Sequence, residues 1–132
     1  MKLRTLINLY LELNHPLSVL NCKLSIGDKS ELLDLLYDLK KKADLFDKEQ
    51  IKEGEEIGIK FQEDFIIPKD TEQVLIERLM KRREEMLEED INFDFSKYKI
   101  SESGIEKISN YETELIPVNF IRIFIKKDLT DL

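Results

Sequence analysis

Six carboxylates crowd one stretch of this sequence: Glu84, Glu85, Glu88, Glu89, Asp90 and Asp94. Acids so placed can share a proton, hold a divalent cation or act as a general acid and base. Glu85 and Glu89 are four residues apart and share a face of any helix that carries them. No histidine accompanies them as in the di-iron helix pattern, and no oxygen-ligand loop of the calcium type occurs. A solvated helix end accounts for the cluster, and no metal is expected there.

Nucleophilic chemistry needs a base beside the nucleophile. His15 and Cys22 are the single histidine and the single cysteine, and they stand on either side of Pro16 and Leu17. One of each cannot build a structural zinc site or an internal disulfide. Val19, Leu20 and Leu24 lie around Cys22 and mark it as a small buried hydrophobe. The glycines at 27, 54, 58 and 104 are isolated, so no phosphate-cradling loop forms. Neither a GxSxG elbow nor an HExxH helix is present. No enzymatic activity and no cofactor are expected. Phe93, Phe95 and Tyr98 can stack on bases, with Lys97 and Lys99 nearby. Asp90 and Asp94 oppose phosphate at the same place, and a packed sheet face is the simpler reading.

The net charge is −7, which repels a phosphate backbone unless basic residues gather locally. Lys40–Lys42 and Lys81–Arg83 are the only dense basic runs, and acids flank both. Nucleic acid is therefore not an expected partner. Charged residues make up 37% of the chain, well above the usual quarter, which points to long helices with charged faces.

Chain periodicity supplies the elements. Leu6, Leu9, Tyr10 and Leu13 keep helical spacing over Leu3–Leu13, while Leu3, Ile7 and Leu11 fill the adjacent face. A helix so widely apolar must be covered by its own chain or by another molecule. Asn8, Glu12 and Asn14 interrupt the run, so a signal peptide is not expected. Asp28 and Glu31 form a capping-box pair. Leu32, Leu35, Leu36, Leu39, Ala43 and Phe46 then predict a helix over about 29–52, with Gly54 as its stop. Ile57, Ile59 and Phe61 alternate and predict a strand, returning through Phe65–Ile67 as a hairpin within 55–68. Asp70 is taken as the cap of a third helix over about 70–89. Alternation from Ile91 to Ile100 predicts one long strand.

The most apolar run, LIPVNFIRIFIKK over Leu115–Lys127, is too short and too polar to span a bilayer. Its composition favours a strand, and as a helix it buries Ile121, Phe124 and Ile125 together. It is read as a buried C-terminal segment, with helix placed ahead of strand. The expected fold is α+β. It is one domain over 1–132, with two or three amphipathic helices packed on a small antiparallel sheet. The helical part covers about 1–54, and strand and C-terminal segment occupy 91–132.

The order of pieces carries a resemblance. LINLYLELN leads to ELLDLLYDLKKKADLFDKEQ, then to EEMLEEDINFDF and KYKISESGIEKIS. This resembles a family of small uncharacterised phage and prophage proteins from low-GC Gram-positive bacteria. In that family a helix pair precedes a strand and an Ile-Ser-Glu segment. The chain there ends in a short helix behind a proline, matching Pro117 here. IRIFIKK departs from the family's leucine-rich tail. The resemblance implies no activity and a phage setting, in the cytoplasm of a bacterial host or in association with the virion.

The expected function is non-enzymatic binding of another protein or of a second copy, in virion assembly or an accessory role. The alternative is an acidic inhibitor that occupies a basic nucleic-acid-binding surface of a host protein. Leu6, Leu9 and Leu13, with Glu84, Glu85, Glu88 and Glu89, are the candidate partner-binding residues. No membrane and no small-molecule substrate is expected.

Overall fold

The computed structural model describes residues 1–128. Five helices follow in order: α1 (Leu3–Asn14), α2 (Ile26–Glu56), α3 (Gln73–Leu87), α4 (Glu102–Ser109) and α5 (Val118–Phe120). The last runs straight into a π-helical stretch, Ile121–Ile125. Among the described residues there is no sheet. The only β-like contact is an isolated antiparallel bridge between Lys2 and Asp90. The fold is all-helical, which corrects the α+β expectation.

The core forms where α1 crosses α2. Leu6, Leu9 and Leu13 meet Leu32, Leu35 and Leu39, all at 1% exposure or less. Sealing a leucine from water contributes about 1.5–3 kcal/mol. A smaller cluster joins Phe46 of α2 to Met86 and Leu87 of α3, under Leu3 and Ile7.

α2 is longer than its sequence signals predict at both ends. Ser25, not Asp28, is the N-cap, its hydroxyl accepting the Asp28 N–H at 3.2 Å. At the far end Gly54 lies inside the helix, and Gly58 makes the stop with φ +101°. The Ile59 N–H donates to the Gly54 carbonyl (2.9 Å) and the Gly58 N–H to that of Glu55 (3.1 Å). Those two bonds, with Ile59 buried, make a Schellman ending. The alternation at Ile57, Ile59 and Phe61 therefore reflects a helix stop and not a strand. Gly54 serves a different need. A Cβ there would stand 2.5 Å from the Phe61 ring.

The expected return strand of the hairpin is a 3-10 turn at Glu63–Phe65. A lone two-stranded hairpin is marginal in water, and nothing here extends it into a sheet. α3 begins at Gln73 behind Glu72 instead of behind Asp70. The predicted strand over 91–100 is a strap laid across the core. Asp94 breaks it by accepting the Ser96 N–H (2.9 Å), which starts a 3-10 turn over Phe95–Lys97. Its alternating residues still pack inward: Phe93 stacks on Tyr98 at 6.0 Å, and Ile91, Phe95 and Ile100 reach the core.

The strap is tied to α2 by polar contacts. The buried Asp28 carboxylate accepts the Ser101 N–H (2.8 Å) and hydroxyl (2.7 Å). The Ser101 hydroxyl in turn accepts the Gly104 N–H (3.0 Å) and caps α4. These Ser101 bonds hold the Asp28 carboxyl below its ordinary pKa. Its contribution to stability is intact above the unfolded-state value of about 3.9 and is lost as pH falls further. In acid unfolding, Asp28→Asn should lose less stability than the parent between about pH 4 and pH 2. Parallel acid limbs would show that the pairing adds nothing.

Gly104 is wedged against this same carboxylate. A Cβ there would overlap Asp28 and come within 2.8 Å of its Cγ. Gly104→Ala should lower stability by about 1–3 kcal/mol despite alanine's better helix propensity, as read from the urea midpoint. A gain in stability would show that the contact yields freely.

Candidate functional site

The acids flagged by the sequence do not converge on a cavity. Glu88 binds Lys2 at 2.5 Å and Arg4 at 3.2 Å, and Arg4 also pairs with Glu84. Lys2 first, then Arg4, hold the Glu88 carboxyl below its usual pKa. Glu85 pairs with Arg82 at 3.1 Å, as does Glu53. The Glu89 carbonyl accepts the Leu3 N–H at 2.9 Å. Three of the six acids, Glu84, Glu85 and Glu88, are thus tied to cations of their own chain, and Glu84 and Glu88 fasten the N-terminus to the end of α3. Leu6, Leu9 and Leu13 lie in the intramolecular core. Cys22 is buried, as its neighbours predict. Among the described residues no group of three or more His, Cys, Asp or Glu gathers in a metal-holding arrangement. Nor is any helix there long and apolar enough to cross a membrane.

A groove of about 710 Å³ opens instead between the strap, α4 and the π-helical stretch. Phe95, Tyr98 and Ile100 come from the strap, Ile105 from α4, and Ile123, Phe124 and Ile125 from the C-terminal stretch. Phe95 meets Phe124 edge-on at 5.6 Å, and Phe124 stacks on the buried Phe120 at 4.8 Å. Lys99, Lys127 and Glu102, all exposed, line it with Ser96 and Ser101. Ser101 is already committed to Asp28 and to the α4 cap. A broader hollow of about 970 Å³ near Cys22 is lined mainly by polar side chains such as Asn21, Lys23, Glu106 and Asn110.

Two polar contacts shape the groove from behind. Tyr98 donates its hydroxyl to Asp38 at 2.5 Å. Burial, then Asp38, push the Tyr98 phenol well above its ordinary pKa, and the same bond lowers that of Asp38. Glu12 of α1 fixes the opposite wall. Its carboxylate accepts the Asn119 N–H (3.0 Å), the Asn119 side-chain amide (2.9 Å) and the Phe120 N–H (3.2 Å). A residue more than a hundred positions away thus satisfies the free amides that begin the last helix.

Sequence spacing marks Phe93, Phe95 and Tyr98 as a packed sheet face; the three do pack on the core, but from the strap and its 3-10 turn and not from a sheet. The spacing does not reveal that Ile105 and Ile123–Ile125 complete a groove with that face. The one hint is the apolar run over 115–127, which the fold only half covers.

Comparison with family models, curated proteins and solved structures finds no match to this chain.

Glu12→Ala should leave α1 and α2 packed but free the last wall of the groove. The expected result is faster amide exchange at Asn119–Ile125 and a loss of about 1–2 kcal/mol. Unchanged protection there would show that apolar packing alone holds the segment.

Proposed function

We propose that this chain is a non-enzymatic protein-binding module, an accessory or assembly component of a phage or prophage. Its groove grips a short apolar segment of another polypeptide. The observation that carries this reading is the groove itself. Its walls are aliphatic and aromatic side chains from three separate elements, half covered, with charge only at exposed positions. Such a surface favours apolar anchors flanked by polar residues. The phage setting rests on the resemblance in the sequence.

The reading as an acidic mimic of nucleic acid draws less support. A mimic needs free carboxylates in a row. Here Glu84, Glu85 and Glu88 are neutralised by Arg4, Arg82 and Lys2.

The test is capture of host proteins on the immobilised chain, followed by the mass of the complex. A protein held by the parent should be lost with Ile105→Glu and kept with Lys48→Glu, at an exposed position of α2. Equal capture by both variants would overturn the groove as the binding surface. A retained RNA or small molecule in place of a protein would overturn protein binding altogether.

A further inference from the structure

Two apolar surfaces lie at opposite ends of α2. The groove sits at its start, where Asp28 binds Ser101 and the Glu31 carboxylate accepts the Lys99 N–H at 3.1 Å. The turn over 62–67 follows its other end. From Glu31 to Glu56 the helix rises about 37 Å, at about 1.5 Å per residue. The turn of one molecule therefore cannot enter its own groove.

That turn is built to present its side chains outward. Asp64 and Phe65 both take left-handed backbone angles, φ 59° and 57°, unusual for an aromatic residue. The Phe65 N–H donates to the Gln62 carbonyl (3.1 Å), and the Gln62 N–H to that of Ile66 (2.8 Å). Phe65 is left 63% exposed and Ile66 57%, an adjacent pair of large apolar side chains turned to solvent. Glu63 and Asp64 immediately precede them.

We propose that the Phe65–Ile66 turn of one copy docks in the groove of a second copy, head to tail. This rests on the reading of the groove as a polypeptide-binding surface and names its occupant. The two surfaces complement each other in chemistry. The turn offers an aromatic and an aliphatic side chain beside two acids. The groove offers aromatic and aliphatic walls beside Lys99 and Lys127, with Glu102 as its one acid. The accessible surface is 8913 Å², against about 7,300 Å² expected of a compact monomer of this mass. The excess is about twice the roughly 800 Å² that one partner contributes to a standard interface, and a copy inside a head-to-tail assembly makes two such contacts. Because turn and groove are different surfaces, the contact is heterologous. Each bound pair leaves one turn and one groove free, so the product is a ring or an open chain.

Sedimentation of the full chain tests this directly. The parent should form species above the 15.7 kDa monomer as concentration rises. Phe65→Glu removes the anchor and Ile105→Glu blocks the groove, and each variant alone should stay monomeric. Mixed together, they should form dimers and nothing larger, because one intact turn and one intact groove remain. A surface pair, Lys99→Glu with Lys127→Glu, serves if Ile105→Glu fails to fold. It should weaken association at least about tenfold, and Glu63→Lys with Asp64→Lys should restore it. A parent that is monomeric at every concentration overturns the proposal, as does a mixture that never dimerises. If Ile105→Glu still abolishes capture of a foreign protein while the parent stays monomeric, the binding function stands and self-docking alone falls.

Discussion

Leu6, Leu9 and Leu13 on α1 meet Leu32, Leu35 and Leu39 on α2, and water reaches none of the six. The rest of the structure is arranged around that seam. α1 is too apolar to stand in solvent, so it must be roofed on more than one side. α2 covers one face, α3 reaches its beginning through Leu3 and Ile7, and Phe120 and Ile123 close over the core. Truncating one seam leucine in so tight a core costs about 2–5 kcal/mol, a large share of a small domain's stability.

Polar contacts then choose among the ways of covering the seam. Asp28 with Ser101 sets where the strap crosses α2, and Glu12 sets where the last helix begins. Apolar contact is nondirectional and tolerates sliding, whereas these carboxylates accept bonds from specific amides at fixed geometry. The groove is a by-product of that choice. Strap, α4 and π-helical stretch are each pinned from behind, and the space between their apolar edges is left unfilled.

Local signals were sound where an element answers only to itself. The spacing of Leu6, Leu9 and Leu13 marks α1, and the leucines from Leu32 to Leu39 mark α2. Signals failed where two structures share a pattern. Ile57, Ile59 and Phe61 alternate as a strand would, yet a left-handed Gly58 and two backbone bonds make them a helix ending. Ile91–Ile100 alternates because a strap over a core also needs every second residue inward. Whether such a segment joins a sheet depends on a neighbouring strand, and no single stretch of sequence contains its neighbour. The site was less legible still. Ile105 and Phe124 carry no mark of a groove until Ser101 and Glu12 place their elements side by side.

Composition and periodicity alone determined that this acidic chain would make long charged helices around a leucine core, with Cys22 inside it. Those properties follow from side-chain type and from spacing of three or four residues. Only the tertiary structure decided that no sheet forms among the described residues, that Glu84, Glu85 and Glu88 pair with Arg4, Arg82 and Lys2, and that an apolar groove stays open. The reason is distance along the chain: each of those outcomes joins residues that are remote in sequence, and local pattern holds no information about which remote partners meet.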